Sequence, residues 1–291
     1  MEWSERMNAA VDYIEDNLAG EIDFAEAANR SFCSTFHFQR MFLALSGITP
    51  AEYARQRRLT LAATELSSNN ARVIDIAMKY GYTSPDSFTR AFRNLHGITP
   101  QAAREPGVTL TAFPRISFNI VSNGGKDMDY KIIEKPAFPV ALTVRQFTNI
   151  DGQCYKDIPE WWEEFLASPD CEALTALSGD KPGIVTGGVM LGVCYGEVET
   201  GEFYYGIGVE LPEGASPGKF EKMEIPATTW AVFDCTLANV QDVTKRIFGE
   251  WYVSTGYEHP GGPDLEVYLS ELSEGSEEDI KCEIWAPVIK K

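Results

Sequence analysis

The sequence predicts a two-domain protein, in which an all-α domain of two helix-turn-helix units precedes an α+β domain built on a curved antiparallel sheet. Residues 34–50, STFHFQRMFLALSGITP, recur at a constant offset of fifty as residues 84–100, SPDSFTRAFRNLHGITP. A repeat at fixed spacing indicates one supersecondary unit used twice. After residue 106 the hydrophobic pattern changes from the period of a helix to that of a strand. At 291 residues the chain is long enough for two separate cores.

Composition and charge exclude several classes of function. The net charge of −18 is unevenly distributed, with −2 over residues 1–106 and −16 over residues 107–291. An acidic chain is a poor general binder of polyanions, so DNA binding must depend on particular arginines. The sequence contains no apolar run of membrane-spanning length and no secretory signal. The six cysteines lack CxxC spacing, which predicts reduced thiols in a cytoplasmic protein without a disulfide framework or metal site.

The first unit starts with two predicted helices, Ser4–Leu18 and Phe24–Arg30, the second of them capped by Asp23. Ser34 then caps the next helix, because its hydroxyl can accept from the free amides of the first turn. The apolar residues on the inner face of that helix are Phe38, Met41, Phe42 and Leu45. The opposite stripe, predicted to face outward, consists of Phe36, Gln39, Arg40 and Leu43. An outward amide and guanidinium can pair with adenine and guanine edges.

The second unit follows a long helix, Ala51–Ser67, for which Pro50 is a suitable first residue. Val73–Lys79 and Ser84–His96 are the two helices of this unit, separated by a turn at residues 81–83. The second helix has an inner face of Phe88, Ala91, Phe92 and Leu95 and an outer face of Asp86, Thr89, Arg90 and Arg93. Taken singly, each unit is equally compatible with a helical hairpin and solvated arginines. The repeat, which includes Arg40 and Arg90, favours DNA binding.

Residues 1–104 resemble the DNA-binding domain of the AraC/XylS family of bacterial transcription regulators. The resemblance depends on the segment Phe36–Phe42, the two Gly-Ile-Thr-Pro exits, and the run from Ile76 through Gly81-Tyr82 to Phe92. It implies two units that enter adjacent major grooves as one monomer. It also implies base contacts from Thr35, Phe36, Gln39, Arg40, Asp86, Ser87, Thr89 and Arg90. Pro85-Asp86 stands where related proteins often carry amides, which predicts that the second unit is less sequence-specific.

The second domain, residues 109–291, is predicted to repeat the order strand-strand-helix-strand-strand. The elements before the repeat are a strand, Arg115–Val121, and a turn at residues 123–125. The first round contains strands Asp129–Lys135, Val140–Gln146, Gly188–Tyr195 and Glu202–Leu211 with helix Ile158–Leu177. The second contains strands Phe220–Ile225, Thr229–Thr236, Asp264–Glu271 and Lys281–Val288 with helix Asn239–Ser254. Two Pro-Ala corners, at residues 136–137 and 226–227, support an internal duplication.

This domain resembles the GyrI-like effector-binding domains that occur fused to AraC-type DNA-binding domains. The resemblance depends on Met128–Ile132, Ile158–Trp162, Tyr205–Glu210, Leu265–Tyr268 and Ile284–Val288. It implies a groove lined by aromatic residues, with a glutamate at its floor that binds hydrophobic cations.

Glu266 occupies the position that matches this glutamate. A carboxylate in an apolar groove is costly to desolvate unless a cation arrives, and aromatic rings add cation–π attraction. The residues predicted to line the groove are Trp162, Tyr155, Tyr195, Tyr204, Trp230 and Tyr268. The alternative is that about half of these rings only pack in the hydrophobic core.

Together these features predict a cytoplasmic, ligand-responsive transcription regulator that is not an enzyme and needs no cofactor or metal. Its predicted partners are double-stranded promoter DNA, a small aromatic or cationic lipophile and RNA polymerase, without a membrane. Two alternatives stay open. One is a hydrolase of small electrophilic molecules that uses Glu266 and a nearby tyrosine as general acid and base. The other is a protein that sequesters drugs without regulating genes.

Overall fold

The computed structural model describes residues 3–68, 70–118, 128–149, 152–179, 183–198, 202–270, 272 and 276–290. The chain divides into two compact units, Met1–Ile120 and Val121–Lys291. Each unit contains apolar clusters of its own. The predicted order of an all-α unit before an α+β unit is therefore confirmed.

The first compact unit, Met1–Ile120, contains both helix-turn-helix units, and its helices agree with the predicted ones to within two residues at each end. They are α1 (Trp3–Asp16), α2 (Phe24–Arg30), α3 (Thr35–Ser46), α4 (Pro50–Ser68), α5 (Val73–Lys79) and α6 (Pro85–His96), followed by a 3-10 turn, Ala102–Arg104. Asp23 caps α2 as predicted, because its carboxylate accepts from the amides of Ala25 and Glu26. Local sequence signals account for much of this agreement, since the side chains of Asp23, Ser34 and Ser84 cap α2, α3 and α6.

Helix α4 joins the two repeats by contributing to the apolar core of each. Tyr53 and Ala54, in its first half, pack with Phe38 and Phe42 of α3. In its second half, Leu59, Ala62, Ala63 and Leu66 pack in the cluster that contains Phe88 and Phe92 of α6. The two helix-turn-helix units thus share one continuous helix as a common core element.

Residues 113–118 pack on the helices of the first unit. The amide of Phe113 donates to Thr60 at 3.0 Å, that of Ile116 to Tyr53 at 3.2 Å, and that of Phe118 to Asn8 at 2.9 Å. The predicted strand over Arg115–Val121 is wrong in its described part, because side chains of the helices occupy the backbone groups that a strand would pair. Residues 119–127, including the predicted turn at 123–125, lie outside the described residues.

The second unit is built on one antiparallel sheet with helices packed against it. Its strands are β1 (Lys131–Lys135), β2 (Phe138–Thr148), β3 (Met190–Val198), β4 (Glu202–Glu210), β5 (Glu221–Ile225), β6 (Thr228–Thr236), β7 (Tyr257–Glu258), β8 (Asp264–Tyr268) and β9 (Lys281–Lys290). Its helices are α7 (Cys154–Leu166), α8 (Pro169–Leu177) and α9 (Val240–Arg246), the last continuing through a π-turn, Ile247–Trp251, into a final turn, Tyr252–Ser254. The strand order is β1-β6-β9-β8-β3-β4-β2-β5, with β7 beside β9.

The two halves of this sheet exchange their first strands. Strand β1 leads into β2 at the first Pro-Ala corner, yet β1 pairs with β6, while β5 pairs with β2. Lys135 pairs with Thr228 and Phe138 with Ile225, so the two corners occupy equivalent positions. The predicted internal duplication is therefore visible in the register, and the halves meet where β3 pairs with β8.

The predicted helix Ile158–Leu177 is two helices. Helix α7 ends at Leu166, and α8 begins at Pro169 after Ser168 in an extended conformation. Proline cannot donate the amide that would continue the first helix, and it disfavours helical backbone at the residue before it. Of the two prolines in the predicted helix, Pro169 marks a boundary, whereas Pro159 lies within α7.

Candidate nucleic-acid interface and effector site

The repeated sequence forms two helices with the same caps and the same length. Ser34 accepts from the amide of His37 at 3.2 Å, and Ser84 accepts from the amide of Ser87 at 3.1 Å. At the other end, Gly47 and Gly97 have φ angles of 76° and 75°, a left-handed conformation that favours glycine. The residues that repeat at an offset of fifty thus include the ones that begin and end each helix.

Helix α6 has one buried face and one exposed face, as the sequence predicts. Phe88 and Phe92 are fully buried, and His96 is buried with its Nε2 at 3.2 Å from the carbonyl of Leu59. Burial lowers the pKa of His96, as a packing role requires. On the other face the predicted DNA contacts are exposed or partly exposed: Asp86, Ser87, Thr89 and Arg90. This helix presents a polar surface to solvent.

Helix α3 differs from α6 because it is buried on more than one face. Phe36, Gln39 and Leu43 are 7%, 6% and 7% exposed, so the prediction that this stripe faces outward is wrong for these three residues. The physical reason lies in its composition, since Phe36 and Leu43 make the helix apolar almost all round. Thr35 and Arg40 are partly buried, and the guanidinium of Arg40 lies 5.4 Å from the ring centroid of Phe36.

The arginines of α4 are used inside the first unit. Arg57 forms two hydrogen bonds of 2.8 Å with Glu15 and one of 2.7 Å to the carbonyl of Phe113. Arg58 donates to the carbonyls of Leu18 and Gly20. The Glu15 contacts join α4 to α1 and the carbonyl contacts join it to segments outside the helices, which indicates structural roles for both side chains.

In the second unit, Glu266 lies in a hydrogen-bonded group of aromatic residues. Its Oε2 accepts from the hydroxyl of Tyr268 at 2.7 Å and from that of Tyr205. The Tyr205 hydroxyl also accepts from the indole Nε1 of Trp162 at 3.0 Å. Tyr205, Tyr268 and Trp162 are largely buried, whereas Glu266 is partly exposed. Among the described residues, no basic side chain forms an ion pair with Glu266.

The sheet places Glu266, Tyr205 and Tyr268 on one face. Gly192 pairs with Glu266 across β3 and β8 and with Ile207 across β3 and β4. Because side chains alternate along a strand, Tyr205 and Tyr268, each two residues from this row, share its face. A Cβ at Gly192 would lie 2.1 Å from the Tyr205 hydroxyl oxygen and 2.7 Å from Glu266 Oε2. Glycine at this position therefore leaves the space in which the hydroxyl and the carboxylate meet.

Both tyrosine hydroxyls stay protonated over a wide pH range. Burial raises the pKa of Tyr205 well above its ordinary value, and the charge and hydrogen bond of Glu266 raise it further. Burial and the charge of Glu266 raise the pKa of Tyr268 in the same way. The two hydroxyls therefore act as hydrogen-bond donors that hold the carboxylate in one orientation.

Three of the predicted groove residues lie on the opposite face of the sheet. Tyr195 and Tyr204 are each three residues from the row of Glu266, and Trp230 is fully buried with its ring 5.9 Å from that of Trp285. The apolar cluster on this face also contains Leu265 and Val267. Since an odd number of residues along a strand turns a side chain to the other face, the prediction that these three residues line a groove with Glu266 is wrong.

Tyr155 lies at the start of α7, where helix α9 contacts it. The Nζ of Lys245 is 4.5 Å from its ring centroid, and Gln241 donates to its carbonyl at 2.9 Å. Trp162 and Tyr268, in contrast, are joined directly, with ring centroids 4.9 Å apart. The structure thus brings together Glu266, Trp162 and Tyr268 from the predicted set. It adds Tyr205, a neighbour of the predicted Tyr204, and Gly192.

Two family models match this chain. A Helix-turn-helix domain matches residues 27–106, and a GyrI-like small molecule binding domain matches residues 128–289. The chain belongs to the AraC-type helix-turn-helix regulators with a GyrI-like domain. Tn10 TetD of Escherichia coli and AarP of Providencia stuartii are each 39% identical over 92 residues, 32% of this chain and 67% and 68% of theirs. MarA of Escherichia coli is 33% identical over 98 residues, 34% of this chain and 77% of its own.

Solved structures resemble each unit separately. SAV2435 bound to tetraphenylphosphonium is 20% identical with a TM-score of 0.47, over 56% of this chain and 94% of that one. The AraC-type regulator from Chromobacterium violaceum is 25% identical with a TM-score of 0.33, over 35% of this chain and 95% of that one. The two family models and the curated relatives, and not these structures, identify the protein as a DNA-binding transcription regulator with an effector-binding domain.

No helix in the described ranges combines the length and hydrophobicity of a membrane span. The same residues contain no group of three or more His, Cys, Asp or Glu side chains placed to hold a metal ion.

Proposed function

We propose that the effector of this regulator is a hydrophobic molecule with one positive charge, and that Glu266 binds it. The observation that supports this proposal is the Glu266 carboxylate itself, which has two tyrosine donors and no basic partner among the described residues. A partly buried carboxylate without a counter-ion is unfavourable until a cation neutralises it.

The aromatic residues around Glu266 favour a cation with a diffuse charge. Tyr268 bonds the carboxylate through its hydroxyl, and the Trp162 ring lies 4.9 Å from the Tyr268 ring, so both rings add cation–π attraction and apolar contact area. A small, strongly hydrated cation would lose its water without gaining such contacts. The site therefore favours lipophilic ammonium or phosphonium compounds over metal ions and polyamines.

The experiment compares a cation with a neutral molecule of similar shape. Tetraphenylphosphonium and triphenylphosphine oxide are titrated into the full chain and into Glu266→Gln by calorimetry. We expect the substitution to weaken phosphonium binding about ten-fold, equivalent to about 1.4 kcal/mol, and to leave binding of the oxide unchanged. Glu224→Gln, which removes an exposed carboxylate from β5, is the matched control for net charge. Equal losses for both compounds would contradict the proposal.

We also propose that the exposed face of α6 and the accessible part of α3 read promoter DNA. Arg90, Asp86, Ser87 and Thr89 are accessible on α6, and Thr35 and Arg40 are partly accessible on α3. Phe36 and Gln39 are buried, so neither side chain can contact a base unless the residues packed over it move. AarP carries the name of a transcriptional activator, which supports RNA polymerase as the partner through which promoter activity changes.

Regulation is then a population shift between states that differ in DNA or polymerase binding. An effector shifts such an equilibrium only by the ratio of its affinities for the two states. Promoter binding measured with and without tetraphenylphosphonium tests this directly. An unchanged affinity for DNA and unchanged transcription in vitro at saturating phosphonium would contradict it.

A hydrolase is a second candidate function, supported by the hydrogen bonds from Tyr205 and Tyr268 to Glu266. A carboxylate that is held by phenol groups can act as general base or nucleophile toward a small electrophile. The test is turnover of an activated ester or an epoxide by the full chain, with Glu266→Gln as the control. Stoichiometric binding without product would exclude this function for those substrates.

A further inference from the structure

We infer that Cys235 and Cys282 form a reversible disulfide and that this bond regulates the effector site beside them. The two residues pair directly across β6 and β9, and their sulfur atoms lie 3.1 Å apart. Both are free thiols in this structure. The strand register therefore already holds them as close neighbours, and only a short movement separates them from bonding distance.

The pair adjoins the floor of the effector site. Cys282 pairs with Cys235 on one side and with Tyr268 of β8 on the other, so all three side chains share the face of Glu266. In the first half of the sheet, the equivalent positions of Cys282 and Cys235 hold Tyr205 and Arg145. The second half thus has a pair of thiols where the first half has Tyr205, which bonds Glu266, and its cross-strand neighbour Arg145.

The reaction needs a two-electron oxidant. Hydrogen peroxide is such an oxidant, and it is small enough to reach buried thiols. Cys235, the more exposed of the two at 9% against 1%, attacks one peroxide oxygen as its thiolate, and the O–O bond breaks. The products are a sulfenic acid on Cys235 and, after protonation, one water molecule. The thiolate of Cys282 then attacks this sulfur and displaces the second oxygen as water. Two thiols and one peroxide give one disulfide and two water molecules.

The reaction is slow at neutral pH. The hydrogen bond with Cys282 and burial raise the pKa of the Cys235 thiol, so little thiolate is present. Proximity compensates in the second step, since the partner sulfur is already in place. We therefore expect oxidation under sustained peroxide exposure, with the disulfide as its main product.

Bond formation changes the surroundings of Tyr268. The sulfur atoms must approach to about 2.05 Å, which draws the Cys282 side chain toward β6 and away from β8. Tyr268 then loses a neighbour on its own face, and its hydroxyl is held less firmly against Glu266. Because a less ordered carboxylate binds a cation more weakly, the oxidised protein should have lower affinity for the effector. This coupling rests on the proposed function of Glu266, whereas disulfide formation does not.

The first measurement is differential alkylation and peptide mass spectrometry of the full chain after peroxide treatment. We expect a linked peptide pair that contains Cys235 and Cys282 and disappears on reduction with dithiothreitol. Cys171, which is partly exposed on α8, reports that the oxidant reached the protein. Oxidation at Cys171 without the linked pair would overturn the inference.

The second measurement is the affinity of the reduced and oxidised chain for tetraphenylphosphonium. We expect the oxidised form to bind at least about three-fold more weakly, and peroxide to have no such effect on Cys235→Ala or, should that variant fold poorly, on Cys282→Ala. Equal affinities of the two forms would overturn the coupling between the disulfide and effector binding. They would not contradict disulfide formation itself. If neither form binds phosphonium, the proposed effector class fails and the coupling to it fails as well, while the linked peptide still decides the disulfide.

Discussion

Gly192 and Glu266 face each other across the approximate two-fold axis that relates the two halves of the second unit. Ile207 of β4 and Ile284 of β9 are equivalent residues, and they pair with Gly192 and Glu266, respectively. Gly192 and Glu266 are therefore equivalent, and they also pair with each other. A duplicated fold thus carries one carboxylate at its centre, opposite a residue that has no side chain.

Replacing Gly192 should disrupt the hydrogen-bonded group at this axis. In Gly192→Ala the new methyl group would lie 2.1 Å from the Tyr205 hydroxyl oxygen, so the tyrosine must move away from Glu266. We expect a loss of about 1–3 kcal/mol in the free energy of unfolding, measured by urea denaturation, together with weaker phosphonium binding. Gly256→Ala is the matched control, since a Cβ there meets no atom within 4 Å. A Gly192→Ala protein as stable as this control would show that the close approach is not required.

The two tyrosine hydroxyls should differ in their contribution to stability. Tyr268→Phe removes one donor to Glu266, whereas Tyr205→Phe also leaves the indole Nε1 of Trp162 without its acceptor. A buried donor without a partner costs about 1–3 kcal/mol, so Tyr205→Phe should be the more destabilising substitution. Urea denaturation of both variants gives the comparison. If Tyr268→Phe proved the more destabilising, the assigned direction of the hydrogen bonds would be incorrect.

Arg90 should contribute to sequence discrimination without contributing to stability. It lies on the exposed face of α6, and a bidentate contact to a base is worth about 1–3 kcal/mol of discrimination. We expect Arg90→Ala to relax the base preference at one position in sites selected from random DNA, with an unchanged unfolding midpoint. Lys131→Ala, an exposed charge in the second unit, controls for the loss of a positive charge. Uniformly weaker binding to all DNA would instead assign Arg90 to a phosphate.

The ion pair of Glu15 and Arg57 should make the first unit sensitive to acid. Burial raises the pKa of Glu15, but hydrogen bonds from Arg57 and Tyr53 lower it by more, so that it lies below its ordinary value of 4.5. Because the folded pKa is depressed, the ion pair stabilises the fold fully at pH values above the ordinary pKa of 4.5. This stabilisation is lost as the pH falls through the folded pKa.

We therefore expect Glu15→Gln to cost about 1.5–3 kcal/mol at neutral pH and progressively less in acid. Thermal unfolding at a series of pH values measures the difference. Glu26→Gln is the control, since the Glu26–Arg30 pair is 42% and 50% exposed and should contribute at most about 1 kcal/mol. A Glu15→Gln effect that is independent of pH would show that the carboxylate acts through packing alone.

Local signals account for the parts of the fold that were predicted correctly. Ser34 and Ser84 begin their helices and Gly47 and Gly97 end them, because capping depends on residues within one turn. The Pro-Ala corners likewise mark equivalent strand ends in the two halves. The break at Pro169 could also have been predicted, since the constraint that proline imposes is equally local.

The structure brings predicted residues together where position along one strand was enough, and it separates them where register was needed. Glu266 and Tyr268 are two residues apart on β8, so their shared face follows from the sequence. Whether Tyr204 or Tyr205 of β4 joins them depends on how β4 pairs with β3, and a shift of one residue reverses the answer. Nothing in the residues around Gly192 indicated that it lies opposite Glu266.

The sequence alone determined the two-domain order, the duplicated helical units with their caps, the repeated strand pattern and the shared strand face of Glu266 and Tyr268. Tertiary structure decided which aromatic rings surround that carboxylate and which face of α3 is accessible. Caps and periodicity act between residues that are close along the chain. Strand register and helix burial depend on contacts between distant segments, including the exchange of β1 and β5, which no local pattern encodes.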